Sequence, residues 1–426
     1  MNLRFYNARI CTMDGSPEIT QGELWAVDGT ITHVGPPQGE ANSPFFDREI
    51  DLGGNLILPG FKNAHAHSPM TFLRSYADDL PLGRWLEDKV FPMEARLTEE
   101  DAVLFAKIAM LEYLSSGITA AFDMYIYPHA VAEAAIACGF RSVLCGPLND
   151  FTSSLEGLER DFRHYRSWKP LVSMRLGFHA EYTTSRELLE GVAALAEKYR
   201  APVWTHLAET RDEVEGCVER HGTTPAVFLD SLGIWNHGGG GYHCVHMSEA
   251  DLEVFRRRGL TAVTNPGSNV KLASGIAPLE EMRRMGIPLA IGTDGPASNN
   301  CLDFFREMFL AAGLQKLAAG DASAMPWEAV LTAATMGGAS AMGLEDCDCL
   351  APGKKADLVV IDLDRPNMRP LHNPLANLVY SGSKENVLMT VVDGKILYER
   401  GEFHVGFDPL ELYSSAEKAL KRIVGG

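Results

Sequence analysis

Four short clusters in this chain carry side chains able to bind a metal or move a proton. They are His65-Ala66-His67, His206-Leu207-Ala208-Glu209, Gly241-Tyr242-His243-Cys244-Val245-His246 and Gly292-Thr293-Asp294-Gly295. Each closes an apolar run, the first of them Leu56-Ile57-Leu58-Pro59-Gly60-Phe61, which reads as a strand leading to the histidines. A His-x-His pair at a strand end points both imidazoles to one side, because successive side chains alternate across a strand. Two neutral imidazoles make half of a metal site, and His206 and Asp294 at other strand ends would complete it. Such a nitrogen-rich donor set suits one zinc ion per subunit, with Fe2+ or Mn2+ as alternatives. Glu209, three residues beyond His206, comes off the same loop without being a ligand, where it can shuttle a proton. Taken singly, each residue has an ordinary reading, a hydrogen-bonded turn histidine or, for Asp294, turn chemistry. The joint pattern carries the metal reading.

Residues so far apart in sequence meet only on a scaffold that gathers strand ends. The middle of the chain supplies one by repeating a helix and then a short apolar strand. Thr98 to Leu114 precedes Ile118–Asp123, and a Thr184-x-x-Glu187 capping box opens a helix to Tyr199 before Ala201–His206. Glu280 to Met285 precedes Ile287–Asp294 in the same way. Repeated β-α units imply a parallel sheet, and closing it as a (β/α)8 TIM-type barrel puts all strand C-termini on one chemical face. No G-x-G-x-x-G or Walker-type loop is present. Gly238-Gly239-Gly240-Gly241 precedes a strand and reads as a flexible loop, and Cys347-Asp348-Cys349 as a plain surface loop.

Both ends of the chain read as β. Leu3–Tyr6, Ala8–Met13, Gly22–Val27 and Thr30–Val34 are short and alternating, with Asp14-Gly15 and Asp28-Gly29 as hairpin turn signals. The same grammar returns at Ala356–Asp362 and Val387–Tyr398. The expected α/β architecture is therefore a barrel over 59–350 and a small β-sandwich domain assembled from 1–58 and 351–426, the latter with a terminal helix.

Composition narrows the function. A 46% hydrophobic chain of 426 residues can bury a large core, and its net charge of −18 speaks against a phosphate-backbone partner, so no nucleic acid is expected. Eight scattered cysteines lack a disulfide-framework spacing, the N-terminus lacks a secretory pattern, and no apolar run spans a membrane. The expectation is a cytoplasmic protein acting on a small molecule. A homo-oligomer is compatible with such an acidic barrel.

The order of Pro59-Gly60-Phe61-Lys62-Asn63-Ala64-His65-Ala66-His67, His206-Leu207-Ala208-Glu209, His243-Cys244-Val245-His246 and Thr293-Asp294-Gly295 resembles the amidohydrolase superfamily over nearly the whole chain. Within it, the sequence is similar to the 5'-methylthioadenosine/S-adenosylhomocysteine deaminase group. The segments that carry this are His67–Arg74, Trp85 through Lys89–Leu97, Asn265–Leu272 and Thr293–Asn300.

The resemblance implies that His65, His67, His206 and Asp294 bind one metal, which would bring its water toward neutrality as a nucleophile. It implies that Glu209, His243 and Asp294 handle protons and that Glu94 accepts hydrogen bonds from ribose hydroxyls. His179 would contact substrate at a position where dinuclear relatives carry a bridging lysine, so one metal is implied. Trp85 and Ser298 would also lie at the substrate. Relatives using S-adenosylhomocysteine place arginines after the next strand, whereas here Cys145–Ser154 contains none. A substrate carboxylate would lack its bidentate partner, favouring methylthioadenosine, deoxyadenosine or adenosine. The implied activity is hydrolytic deamination of an adenine nucleoside. Alternatives are deamination or dechlorination of another amino-heterocycle (guanine, pterin, s-triazine), or an inactive barrel scaffold, which would be expected to have lost ligands that this chain keeps.

Overall fold

The computed structural model describes residues 1–39, 43–166 and 170–425. Eight parallel strands follow one another around a barrel in sequence order: Phe61–Ala66, Ile118–Met124, Arg141–Cys145, Val172–Ala180, Val203–Leu207, Gly239–His243, Thr261–Thr264 and Leu289–Ile291. Parallel neighbours need a crossover, and helices supply it, burying the outer face of each strand. The helix Glu99–Ser115 shows how the chain encodes this. Thr98 and Asp101 close a reciprocal capping box at its start, and Gly117, at φ +79°, follows its last turn before the next strand.

The eighth strand is short, and side chains help it meet the first. Asn63 donates through Nδ2 to Thr293 Oγ1 (2.7 Å) and accepts from Thr293 N (2.8 Å), while Asp294 N donates to the His65 carbonyl (3.0 Å). Gly292 permits the approach, since a Cβ there would stand 2.8 Å from the His65 backbone nitrogen. Inside the barrel, Phe122, Trp204 and Tyr242 fill the space beneath the C-terminal mouth.

The two termini build one curled nine-stranded sheet. Leu358–Ile361 from the C-terminal part pairs antiparallel with Leu56–Pro59 from the N-terminal part. The sheet curls enough for Gly29 O to accept from Ala356 N. Asp28-Gly29 forms the expected two-residue turn and Asp393-Gly394 forms another, with both residues of each at positive φ, whereas Asp14-Gly15 lies in the longer loop between Cys11 and Ile19 and is not a two-residue turn. The C-terminal helix Pro409–Gly425 returns to the helix Glu99–Ser115, where Arg422 pairs with Asp101. No helix of the described residues is long and apolar enough to cross a membrane.

Several local expectations are corrected. Gly239–Gly241 is barrel strand, not loop: a Cβ on Gly239 would lie 1.9 Å from Val203 O, and one on Gly240 2.1 Å from Thr261 O. Only glycine fits between those neighbouring strands. The Leu56–Phe61 run is not one strand, because Leu56–Pro59 belongs to the terminal sheet and Phe61 opens the barrel. Leu3–Cys11 is continuous, with a bulge around Asn7 where two strands were expected. Thr184 does not cap its helix; Ser185 takes the N-cap position and the Thr184 hydroxyl turns to Leu148 O. Cys347 and Cys349 are buried, not surface residues.

Candidate active site and metal centre

At the C-terminal mouth the four clusters converge. His65 lies next to the last residue of the first strand and His67 just beyond it, His206 sits in the fifth strand, and Asp294 follows the eighth. Asp294 Oδ1 lies 3.4 Å from His65 Nε2 and 3.3 Å from His67 Nε2, and His206 Nε2 lies 3.3 Å from His67 Nε2. Donors of a tetrahedral ion with bonds of ~2.0–2.1 Å stand about 3.4 Å apart, and these three contacts have that spacing; the ligand atoms of His65, His67 and Asp294 all lie within 4.8 Å of one another, as do those of His65, His206 and His243.

Each ring is aimed by its other nitrogen. His67 Nδ1 donates to Met124 O, and His206 Nδ1 donates to His179 O at 2.6 Å, leaving both Nε2 atoms for the centre. His65 is held differently. Both its nitrogens are buried without a hydrogen-bond partner, and Tyr242 stacks against its ring at a centroid distance of 3.8 Å. A buried orphan Nε2 facing a carboxylate is what a metal ligand looks like before its metal is added. Burial holds His65 down to about 3 and His206 well below the usual range. His67 is the exception. Burial opposes its charge, but contact with Asp294 outweighs that and lifts it to about 9. The donor set fits a divalent metal.

The proton-handling groups surround that point. His243, at φ +72°, donates through Nδ1 to Asn269 Oδ1 (2.8 Å) and turns Nε2 toward Glu209 Oε2 (3.7 Å) and Asp294 Oδ2 (4.0 Å). Burial raises the Glu209 carboxyl above its ordinary range, and Ser274 Oγ donates to its Oε1 at 3.2 Å. Ser268 and Ser298 both donate to Asp294 Oδ2, at 2.6 and 2.8 Å, and so fix which oxygen faces the histidines. His179 is neutral, held to about 4 chiefly by burial. The Thr183 hydroxyl donates to Ala180 O, so His179 Nδ1 donates to Thr183 and its Nε2 is left as an acceptor.

A cavity of about 570 Å³ opens beside these groups. Glu94, Trp85, His179 and Ser298 all line it, together with Glu209 and His243. Burial pushes the Glu94 carboxyl up to about 7. Among the described lining residues none is Lys or Arg, and Leu82, Phe91, Ile126, Pro147 and Phe151 make much of the wall apolar.

The Amidohydrolase family model matches residues 56–397, most of the chain and all eight barrel strands. The chain belongs to the amidohydrolase family. A relative from Syntrophobacter fumaroxidans, 5-methylthioadenosine/S-adenosylhomocysteine deaminase, is 40% identical over 93% of each chain. One of the same name from Moorella thermoacetica is 40% identical over 95% of this chain and 96% of its own. Among solved structures, a zinc-bound adenosine deaminase from Xanthomonas campestris superposes with a TM-score of 0.94 at 32% identity, covering 100% of this chain and 99% of its own. The atrazine chlorohydrolase TrzN from Arthrobacter aurescens TC1 reaches 0.89 at 22% identity, covering 98% and 100%, and shares the fold. In this amidohydrolase the residues singled out by sequence lie at one mouth. The supporting residues Ser268, Asn269 and Ser274 were not singled out individually. Asn265–Leu272 was visible as a motif, but which polar group each residue serves depends on a loop fold the motif does not spell out.

Proposed function

We propose that this protein is a metal-dependent hydrolytic deaminase of adenine nucleosides with a neutral 5' substituent, releasing the inosine-type product and ammonia. The observation that carries the reading is the grouping of His65, His67 and Asp294, with His206 Nε2 3.3 Å from His67 Nε2, beside a buried glutamate in a cavity whose described lining holds no Lys or Arg. The names of the relatives, and the identity over nearly full length, support it.

His65, His67, His206 and Asp294 would hold one zinc ion, with Fe2+ or Mn2+ as alternatives. When bound, the ion supplies Lewis acidity that makes water available as a nucleophile near pH 7. Asp294, oriented by Ser268 and Ser298, accepts a proton from the attacking water. Glu209, whose raised pKa lets it carry a proton, delivers one to the ring nitrogen beside purine C6 and makes that carbon electrophilic. His243 stands between these two carboxylates and hydrogen-bonds to the oxygen that adds. Asp294 passes the proton it took to the departing amino group, the C6–N bond breaks to release ammonia, and the hydroxyl proton at C6 returns to Glu209 as the carbonyl forms. Glu94 accepts from the ribose hydroxyls, His179 Nε2 accepts from a substrate N–H, and Trp85 gives an aromatic wall. An amino-acid tail at the 5' position would put its carboxylate in a cavity with no Lys or Arg among its described lining residues, so methylthioadenosine, deoxyadenosine and adenosine are favoured over S-adenosylhomocysteine.

The test is an ammonia-release panel over these four nucleosides, adenine, guanine, a pterin and an s-triazine, with metal analysis of the same sample. Turnover confined to adenine nucleosides, with Glu94→Ala hurting nucleosides far more than free adenine, is the expected result. Equal loss on both removes the ribose role, and turnover of guanine or triazine alone overturns the nucleoside reading.

A further inference from the structure

The loop that presents Glu209 is gripped by a residue that the helix after it could be expected to use for itself. Thr210-Arg211-Asp212-Glu213 has capping-box spacing, in which the fourth residue's carboxylate returns to the N-cap N–H. Only half of the box forms. Thr210 Oγ1 accepts from Glu213 N at 3.2 Å, opening the helix Arg211–His221. The Glu213 carboxylate reaches past the N-cap position. Its Oε1 accepts from Ala208 N (2.6 Å) and its Oε2 from Glu209 N (2.8 Å).

The other side of the same peptide is held as well. The Ala208 carbonyl accepts from Val245 N (3.1 Å) and His246 N (2.8 Å), in the loop that follows His243. The Ala208–Glu209 peptide is therefore fixed at both its N–H and its C=O. Ala208 needs this grip, because its φ of +50° lies in the left-handed region that disfavours a side chain. Glu213 is buried, and among the described residues no Lys or Arg is hydrogen-bonded to its carboxylate. A buried carboxylate is a costly way to cap a helix, since an exposed Glu at that position serves as well. Its burial is accounted for by the two N–H groups it holds.

We propose that Glu213 is a positioning residue for deamination, which clamps the Ala208–Glu209 peptide so that the Glu209 carboxyl meets the substrate ring. This rests on the reading of Glu209 as the proton donor.

The experiment compares Glu213→Gln with Thr210→Ala. A Gln amide keeps one acceptor oxygen and turns an NH2 against a backbone N–H. Glu213→Gln should lose about 10–100-fold in kcat, with KM and metal content little changed, because a small misplacement acts on the transition state. Thr210→Ala, which removes only the helix cap, should lower Tm and leave kcat alone. In a Glu209→Gln background, Glu213→Gln should cost no further kcat, because its effect runs through Glu209. Wild-type kcat in Glu213→Gln, or an undiminished further loss on top of Glu209→Gln, overturns the clamp. If Glu213→Gln does not fold, Glu213→Asp, one methylene short of the N–H pair, is read by the same outcomes. Wild-type protein that releases no ammonia from any nucleoside rejects the deaminase reading instead. The clamp is then decided by the crystal structure of the variant, where a displaced Ala208–Glu209 peptide supports it and an unmoved one overturns it.

Discussion

At the N-terminal mouth of the barrel, Arg141 meets Asp357 through two hydrogen bonds, of 2.7 and 2.9 Å, and Asp357 also accepts from Asp393 N. Nearby, the fully buried Lys62 donates to Thr119 Oγ1 and Gly60 O. Each buried charge there has its partners, and none of Lys62, Arg141 and Asp357 has a positive φ. The C-terminal mouth has the opposite character. Asp294 is ringed by histidines, His65 has two orphan nitrogens, and Ala208, His243, Cys244 and Asp294 all sit at positive φ. Both mouths hold buried charge, but one satisfies it within the fold and the other leaves it ready for a metal and a substrate. Strain and unmet polar demand gather where chemistry is done, and the rest of the fold sustains them.

The sharpest way to break this contrast is to change one residue at each mouth and read both activity and stability. Glu209→Gln should lower kcat by about 10²–10⁴-fold, the usual span for a lost general acid, while metal content and nucleoside binding persist. Its unfolding free energy should hold or rise, because a buried carboxyl with a raised pKa is replaced by a neutral amide. Steady-state kinetics and urea unfolding of one preparation check both halves. A variant with near-wild-type kcat would remove Glu209 from proton transfer.

Asp357→Ala is the mirror experiment. It strands the Arg141 guanidinium in the interior, so stability should fall by about 3–5 kcal/mol. The folded fraction should keep its kcat, since the Arg141–Asp357 pair lies at the mouth opposite the cavity. A drop in kcat that exceeds the unfolded fraction would mean that the two mouths are coupled.

The same contrast explains what the sequence disclosed. His65, His67, His206, Glu209, His243 and Asp294 were legible because barrel topology brings strand ends together, so residue type and position near a strand end suffice. The Thr184-x-x-Glu187 spacing misled, because Ser185 takes the N-cap position and the Thr184 hydroxyl turns to Leu148 O, a choice set by the neighbouring loop. The glycine start of the strand Gly239–His243 was hidden, because what makes three glycines strand-forming is the closeness of Val203 and Thr261, not their own propensity. Cys347 and Cys349 were hidden for a similar reason, as their burial comes from packing that no local pattern reports. Glu213 was hidden behind a pattern that was present but used for something else.

Glu307 tests the comparison through pH, with the smallest expected effect. It is buried behind the active mouth, where Oε2 accepts from Gly267 N (2.8 Å) and Oε1 from Asn299 Nδ2 (2.9 Å). It thereby ties the loop bearing Ser268 and Asn269 to the loop after Asp294. Burial is the largest influence on its carboxyl and lifts it from 4.5 to about 7 despite both hydrogen bonds. The folded state therefore binds the proton more tightly than the unfolded chain. The stability this contributes is complete below about pH 4.5, declines as pH rises toward 7, and is gone above it. Glu307→Gln removes that dependence, so the wild-type advantage over the variant should shrink by on the order of 1–3 kcal/mol across this window. Asp357 at the other mouth, held below its ordinary range chiefly by Arg141 against the cost of burial, has the reverse sign, its stabilisation being lost as pH falls. Urea unfolding of wild type and Glu307→Gln at several pH values decides it. Parallel stability curves would show that the two backing hydrogen bonds keep Glu307 ionised throughout, making the active mouth as fully satisfied at this point as the opposite one.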